Sequence, residues 1–261
     1  DFVTVGAFAA FFAATRLATK VLGLADTTGY LLSIVVAFGV GAILGVIVNA
    51  LVFAPLRERG DELRPLIATI GVSVLLENGQ LALFGPVPYQ FDSPFARETI
   101  RIGPIFFTQQ SVVVVLAAAA SITALYAFLR LTFLGKALRA VSQDRETAGL
   151  MGINPGLLIA LTIVISSALA GMAGALLGPV LVLTPFAGAT VVVKAFAIVI
   201  IGGFGNLEGT ILAGILVGVV EAFTVQYLGS GIIDLVVFVL LLVMLAIRPT
   251  GLIAEKKEEN V

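Results

Sequence analysis

Leu157-Leu158-Ile159-Ala160-Leu161-Thr162-Ile163-Val164-Ile165-Ser166-Ser167-Ala168-Leu169-Ala170-Gly171-Met172-Ala173-Gly174-Ala175-Leu176-Leu177-Gly178-Pro179-Val180-Leu181-Val182-Leu183 runs from residue 157 to 183 without one ionisable side chain. A bilayer's hydrocarbon core takes about 20 apolar residues as a helix and ~9–11 as a barrel strand. This run is continuous rather than alternating, so it reads as a membrane helix and not as a barrel strand. Working outward, similar runs occupy residues 2–14, 30–53, 65–84, 111–129, 187–201, 210–228 and 232–247. The expected fold is all-α, a polytopic integral membrane bundle of seven or eight segments in a single membrane domain over residues 1–261. The run 187–201 is weak enough to be a re-entrant half-helix. Pro55 and the charged stretch Arg57-Glu58-Arg59-Gly60-Asp61-Glu62 are expected to close the second run, and Gly85-Pro86-Val87-Pro88 follows the third.

Composition excludes most other classes. Of 261 residues, 59% are hydrophobic and 12% charged, with mean hydropathy +1.13. Soluble domains carry about a quarter charged residues, so a water-facing surface is missing and lipid is the expected surrounding. With no Cys there is no disulfide, thiolate nucleophile or Cys-type metal site. With no His there is no Ser-His-Asp triad and no imidazole metal ligand. No metal or cofactor is expected. The net charge of −1 argues against nucleic acid as a partner. An intramembrane hydrolase built on Ser166 or Ser167 would lack a His base.

Charges in the loops set an orientation. Arg57, Arg59 and Arg64, then Arg130, Lys136, Arg139 and Arg145, then Arg248, Lys256 and Lys257 fall on one face, expected to be cytoplasmic. The other face receives Arg16, Lys20, Arg97 and Arg101. Residues 85–104 are then external, with Ile100-Arg101-Ile102 as a short strand. The tail Glu255-Lys256-Lys257-Glu258-Glu259-Asn260 is a solvated cytoplasmic end. Asp1 follows no basic leader, so no signal peptide is read and the chain reads as starting partway through a longer protein.

Several features point beyond the fold. Small residues recur at four-residue spacing in Gly41 and Gly45, in Ala170, Gly174 and Gly178, and in Gly214 and Gly218. Such spacing makes a smooth helix face for close packing, within the subunit or across a subunit interface. Gly202-Gly203-Phe204-Gly205-Asn206-Leu207-Glu208-Gly209 is not a dinucleotide fingerprint, since Glu208 replaces the third glycine and no strand precedes it. It reads as a helix break. Leu134-Gly135-Lys136-Ala137 lacks the elements of a Walker A loop, so ATP hydrolysis is not expected of this chain. Ionisable residues inside apolar runs face a bundle interior or a wet path. The candidates are Glu77 with Asn78 and Gln80, Lys194, Glu221 and Asp234. Lys194 is expected to pair with Glu221 or Glu77 in a pathway or structural ion pair; the alternatives are a proton relay, or Asp234 and Glu221 merely hydrated near the interfaces. The segment 131–155 is the most informative. Arg139, Gln143 and Glu146 share one face of an expected amphipathic helix, Ala140, Val141 and Ala148 another, and Gly149 and Gly152 end it before Pro155. Such a connector suits docking into a partner's groove.

These residues carry a resemblance. Leu66-Ile67-Ala68-Thr69-Ile70-Gly71, Gly135-Lys136-Ala137-Leu138-Arg139-Ala140 through Gly152-Ile153-Asn154, Lys194-Ala195-Phe196 with Gly202-Gly203-Phe204-Gly205, and Arg248-Pro249-Thr250-Gly251-Leu252 stand as they do in bacterial branched-chain amino acid ABC transporter permeases of the LivH type, and Glu221 matches a glutamate of that family. The resemblance implies a multi-pass inner-membrane subunit. It implies two ATP-binding subunits, a second related permease and a periplasmic amino-acid-binding protein as partners, besides membrane lipid. It makes the connector, with Arg139, Ala140, Gln143, Asp144, Arg145, Glu146, Gly149 and Gly152, the part that docks on the ATPase. The family has another apolar helix before the position of Asp1, and Glu77 stands where it more often has a neutral polar residue. Urea or short-amide permeases, and an ion-coupled transporter or channel using Glu77, Lys194 and Glu221, stay open as alternatives.

Overall fold

The computed structural model describes residues 1–16, 26–57, 63–91, 93–96, 99–102, 105–180, 182–248 and 250–253. Lys20, Arg59, Arg97, Lys256 and Lys257, which entered the charge bias, and the tail 255–260 lie outside the described residues. The chain divides into two compact units, Asp1–Gly188 and Ala189–Val261, each with its own apolar core.

The first unit holds α1 (Phe2–Phe12), α2 (Asp26–Val48), α3 (Ala54–Arg57), α4 (Leu63–Phe84), α5 (Gln109–Leu131), α6 (Phe133–Gln143), α7 (Arg145–Leu150) and α8 (Pro155–Leu177). Antiparallel strands β1 (Thr99–Ile102) and β2 (Ile105–Thr108) lie between α4 and α5, with Ile102 opposite Ile105, so the expected strand at Ile100-Arg101-Ile102 forms. The second unit holds α9 (Ala187–Gly202), whose first turn carries the unit boundary, α10 (Leu207–Leu228) and α11 (Ile233–Ile247). Among the described residues, six helices are long and apolar enough to cross a membrane, and two apolar ones, Phe2–Arg16 and Ala187–Gly202, are shorter. The expected seven or eight segments thus resolve into six of membrane length and two short of the ~20 residues that a hydrocarbon core needs.

The helix read over 157–183 ends at Leu177, and the second run departs from expectation at its end as well. The second run does not stop at Pro55. Asn49–Phe53 forms a π turn in which the Ala54 N–H donates to the Asn49 carbonyl, and α3 carries the helix past the proline. Proline has no N–H to leave unpaired, and the wider turn before it gives its ring room where a regular α turn would clash. The helical stretch Asp26–Leu56 is therefore continuous.

The first core is built from small residues. α8 lies against α1 and α2, and glycine sets the separation. A Cβ on Gly41 would overlap the Ser167 carbonyl and stand 3.2 Å from the Ala168 Cα; one on Gly45 would come 2.8 Å from the Ser167 Cβ. From the other side, a Cβ on Gly171 would meet the Ala37 carbonyl oxygen at 2.5 Å, and one on Gly174 the Ala7 nitrogen at 2.8 Å. Ala7, Ala10, Ala37, Ala168 and Ala175 fill the rest of the buried seam. Backbone approaching backbone is how membrane helices gain dispersion contacts when lipid already solvates larger side chains.

A polar pin crosses this core. The Gln110 amide donates to the Tyr30 hydroxyl (2.8 Å) and to the Leu176 carbonyl (3.1 Å), and its oxygen accepts from the Ser93 hydroxyl (2.8 Å). Tyr30, Ser93 and Gln110 are all buried. The pin ties the α4–α5 connection to the starts of α2 and α5 and the end of α8. Two backbone hydrogen bonds pair Tyr89 with Leu183, and Phe8 stacks on Phe84 at 4.5 Å.

Candidate functional site

The connector begins where α5 ends. The Thr132 side chain caps α6 by accepting from the Gly135 N–H at 3.0 Å. Gly135 is pressed on the carbonyls of Phe128 and Leu129, leaving no room for a side chain. α6 is amphipathic: Gly135 and Ala137 are buried, Ala140 is half-buried, and Lys136, Arg139, Ser142 and Gln143 are exposed. The expected single helix is broken at Asp144. Its carboxylate accepts the N–H groups of Glu146 (2.9 Å) and Thr147 (3.0 Å) and the Thr147 hydroxyl, so it caps a second helix, α7. These bonds, the Thr147 hydroxyl first, hold the Asp144 carboxyl below the usual carboxylate value. An aspartate whose side chain satisfies the orphan N–H groups of a new helix start competes with continuing the old one. Arg139 and Gln143 therefore lie on α6, while Arg145, Glu146 and Gly149 lie exposed on α7.

α7 closes on a Schellman motif. The Ile153 N–H donates to the Ala148 carbonyl and the Gly152 N–H to the Gly149 carbonyl, both at 3.1 Å, with Gly152 at φ +83°. Asn154 then caps α8 by accepting from the Leu157 N–H, and Pro155 takes its first turn. The expected apolar side of the connector is misplaced. Ala148 is buried against the protein itself, whereas Leu150 and Met151 are 84% and 78% exposed at its tip. Neither was singled out from the sequence; large apolar residues immediately before a helix-ending glycine were the available signal.

The intramembrane charges separate by unit. In the second, the Lys194 Nζ (α9) stands 2.8 Å from the Glu221 Oε1 (α10) and 3.8 Å from the Asp234 Oδ1 (α11). Of the two partners expected for Lys194, the structure supplies Glu221, and it adds Asp234. In the first unit, Glu77 is half-buried on α4, the exposed Asn78 amide donates to its own helix at Val74, and Gln80 is buried with its oxygen unpaired.

The glycine-rich stretch forms a joint within the second unit. α9 ends at Gly202, Gly203 takes φ +102°, and the Asn206 side chain caps α10 by accepting from the Gly209 N–H at 2.9 Å. The chain leaving α11 returns here. The Leu252 N–H donates to the Ile201 carbonyl at 2.8 Å, and a Cβ on Gly251 would stand 2.5 Å from the Gly203 Cα. Two motifs far apart in sequence, at 202–205 and 248–252, thus meet. Of the other small-residue positions, Gly178 faces the Phe91 ring, a Cβ on Gly214 would make an ordinary 3.8 Å contact with Ile198, and one on Gly218 would meet no other part of the described residues within 4 Å.

A family model described as the branched-chain amino acid transport system permease component matches residues 1–247. Among curated relatives, the high-affinity branched-chain amino acid transport system permease protein BraD of Pseudomonas aeruginosa is 32% identical, over 98% of this chain and 85% of its own. The corresponding LivH protein of Escherichia coli K12 is 34% identical, over 90% of this chain and 78% of its own. A fructose import permease protein, FrcC of Rhizobium meliloti, is 30% identical over 72% of this chain and 54% of its own. No solved structure matches. With one family model spanning both compact units and six helices of membrane length, this chain is a multi-pass membrane protein that belongs to the family of branched-chain amino acid transport system permease components.

Proposed function

We propose that this chain is the membrane-spanning subunit of an ATP-binding-cassette importer carrying leucine, isoleucine and valine across the inner membrane. It works with two ATP-binding subunits, a second related permease and a periplasmic amino-acid-binding protein, and the two compact units serve one permease domain. The names of the relatives support the substrate class. The observation that carries the mechanism is the connector: two short capped helices on which Leu150 and Met151, and also Arg139, Gln143, Arg145 and Glu146, are exposed. Large apolar side chains at a rigid, exposed corner suit insertion into a partner's groove. ATP-driven closure of the motor subunits moves this corner, and the attached α5 and α8 transmit the movement between outward- and inward-facing packings. Ala140, Asp144, Gly149 and Gly152 belong to the same docking segment, and the caps at Asp144 and Gly152 set its shape. Glu77 and Asn78 in the first unit, and Lys194 and Glu221 in the second, are each candidates for contact with the transported molecule, and Gly214 and Gly218 offer a smooth face to a neighbouring subunit.

The test is ATP-driven leucine uptake by the reconstituted complex. Uptake that requires ATP, the binding protein and the connector is expected, with Leu150→Asp/Met151→Asp releasing the ATP-binding subunits from an otherwise folded permease. Uptake that persists without ATP and follows a proton or sodium gradient would overturn the reading.

A further inference from the structure

We propose that Lys194, Glu221 and Asp234 form a subsite for the main-chain ammonium and carboxylate of the transported amino acid; this rests on the function proposed above and names the chemistry of its recognition. Three helices contribute one charge each, and the cation sits between two anions at 2.8 and 3.8 Å. A purely structural ion pair would be shut away from its surroundings. This cluster is not. The Lys194 and Glu221 side chains keep 30% and 27% exposure, and Asp234 keeps 65%. The Glu221 Oε1 is buried against the Lys194 ammonium without an aligned hydrogen bond among the described residues, so the open part of the cluster is the rest of the Glu221 carboxylate and the Asp234 carboxylate.

Charges this open are too costly against lipid, so the face they share turns to water or to protein. A zwitterion supplies what the cluster lacks. An ammonium hydrogen-bonds to the exposed Asp234 carboxylate beside Glu221, and a carboxylate takes the N–H donors that Lys194 does not turn to Glu221. The surroundings restrict the ligand further. One turn along each helix from the three charges stand Ala197, Val217 and Val237, all almost fully buried, which seal one side of the charged layer with an apolar floor. Ile198 and Phe238, four residues on from Lys194 and Asp234, continue the same helix faces and give an aliphatic side chain apolar surface. The subsite therefore reads the part common to all neutral amino acids and is indifferent to which branched side chain follows.

The experiment uses the full reconstituted complex with saturating leucine-loaded binding protein. ATP-driven uptake is measured for the wild type, for Asp234→Asn, and for the exchange Lys194→Glu/Glu221→Lys, with thermal unfolding and subunit composition recorded on the same samples. Asp234 is the most exposed member, so its amide variant leaves the packing alone and decides the matter even if the exchange fails to fold. Both variants are expected to assemble and unfold like the wild type while uptake falls about tenfold or more, as when one member of a bound charge pair is removed. Uptake restored by the exchange would make the pair structural. Loss of the second permease from either variant would make it an interface contact, and wild-type uptake by Asp234→Asn would also remove the subsite. A wild type that carries no amino acid at all overturns the functional reading and the subsite together, whereas an active wild type with an active exchange overturns the subsite alone.

Discussion

Two glycines on α2, two residues apart, predict opposite outcomes for the same mutation. A Cβ on Gly41 overlaps the Ser167 carbonyl of α8 and stands 3.1 Å from its carbon and 3.2 Å from the Ala168 Cα, whereas one on Gly39 meets nothing within 4 Å. The obstacles at Gly41 are backbone atoms in the middle of a helix, so they cannot rotate aside. Gly41→Ala must push α2 and α8 apart by several tenths of an ångström. A gap of about 0.5–1 Å forfeits a quarter to a half of each dispersion contact across the seam, and overpacking of this kind costs ~1–3 kcal/mol. That is roughly a 5- to 140-fold fall in the folding equilibrium constant. Gly39→Ala has free space for its methyl group and is expected to stabilise the protein by about 0.5–1 kcal/mol, since alanine suits a helix interior better than glycine. Titrating the purified protein from mild detergent into dodecyl sulfate micelles, with helicity as the readout, measures both. Equal effects at the two positions, or a neutral Gly41→Ala, would refute the claim that backbone contact holds the first unit together.

The connector predicts a pH dependence. The Asp144 carboxyl titrates below the usual aspartate value because the bonds it accepts favour the ionised form, so the α7 cap is fully present above that usual value and is lost as pH falls through the lower, folded one. Hydrogen–deuterium exchange at the Glu146 and Thr147 amides should be protected down to about pH 4, rise below it, and lose that acid transition in Asp144→Asn. The polar pin predicts that Gln110→Leu, which takes the Gln110 donor from the Leu176 carbonyl and leaves the Tyr30 hydroxyl its long bond to the Ala175 carbonyl (3.4 Å) and the Ser93 hydroxyl its bond from the Phe95 N–H (3.2 Å), destabilises the first unit by about 1–3 kcal/mol; a stability equal to the wild type in the same detergent titration would show the pin to be idle.

The membrane helices were legible because hydrophobic length is a one-dimensional property; the run read at 210–228 and the helix Leu207–Leu228 differ by three residues at one end. What failed was local competition. Pro55 looked like a stop, and only the preceding π turn makes it tolerable. Asp144 sat inside an acceptable helical pattern, and its capping bonds, not its propensity, broke the helix there. Pairings across the chain were partly open to the sequence: Lys194 had two candidate partners, and only the packing of α9 on α10 selects Glu221. The polar pin was invisible. Gln110 lies just outside the apolar run read from Ser111, Tyr30 reads as an interfacial aromatic, and Ser93 falls in a loop, so nothing in spacing or composition links them.

The return of the chain to the end of α9 makes the second unit a clasp. With Leu252 hydrogen-bonded to Ile201 and Gly251 seated on Gly203, the hairpin of α10 and α11 is fastened at its open end as well as at its turn. A tilt of α9 that kept this fastening would drag the foot of α11 along, and one that broke it would expose the unpaired carbonyls of Ile201 and Gly202. Motion in this half of the chain is therefore biased toward swinging three helices as one paddle rather than sliding any of them singly.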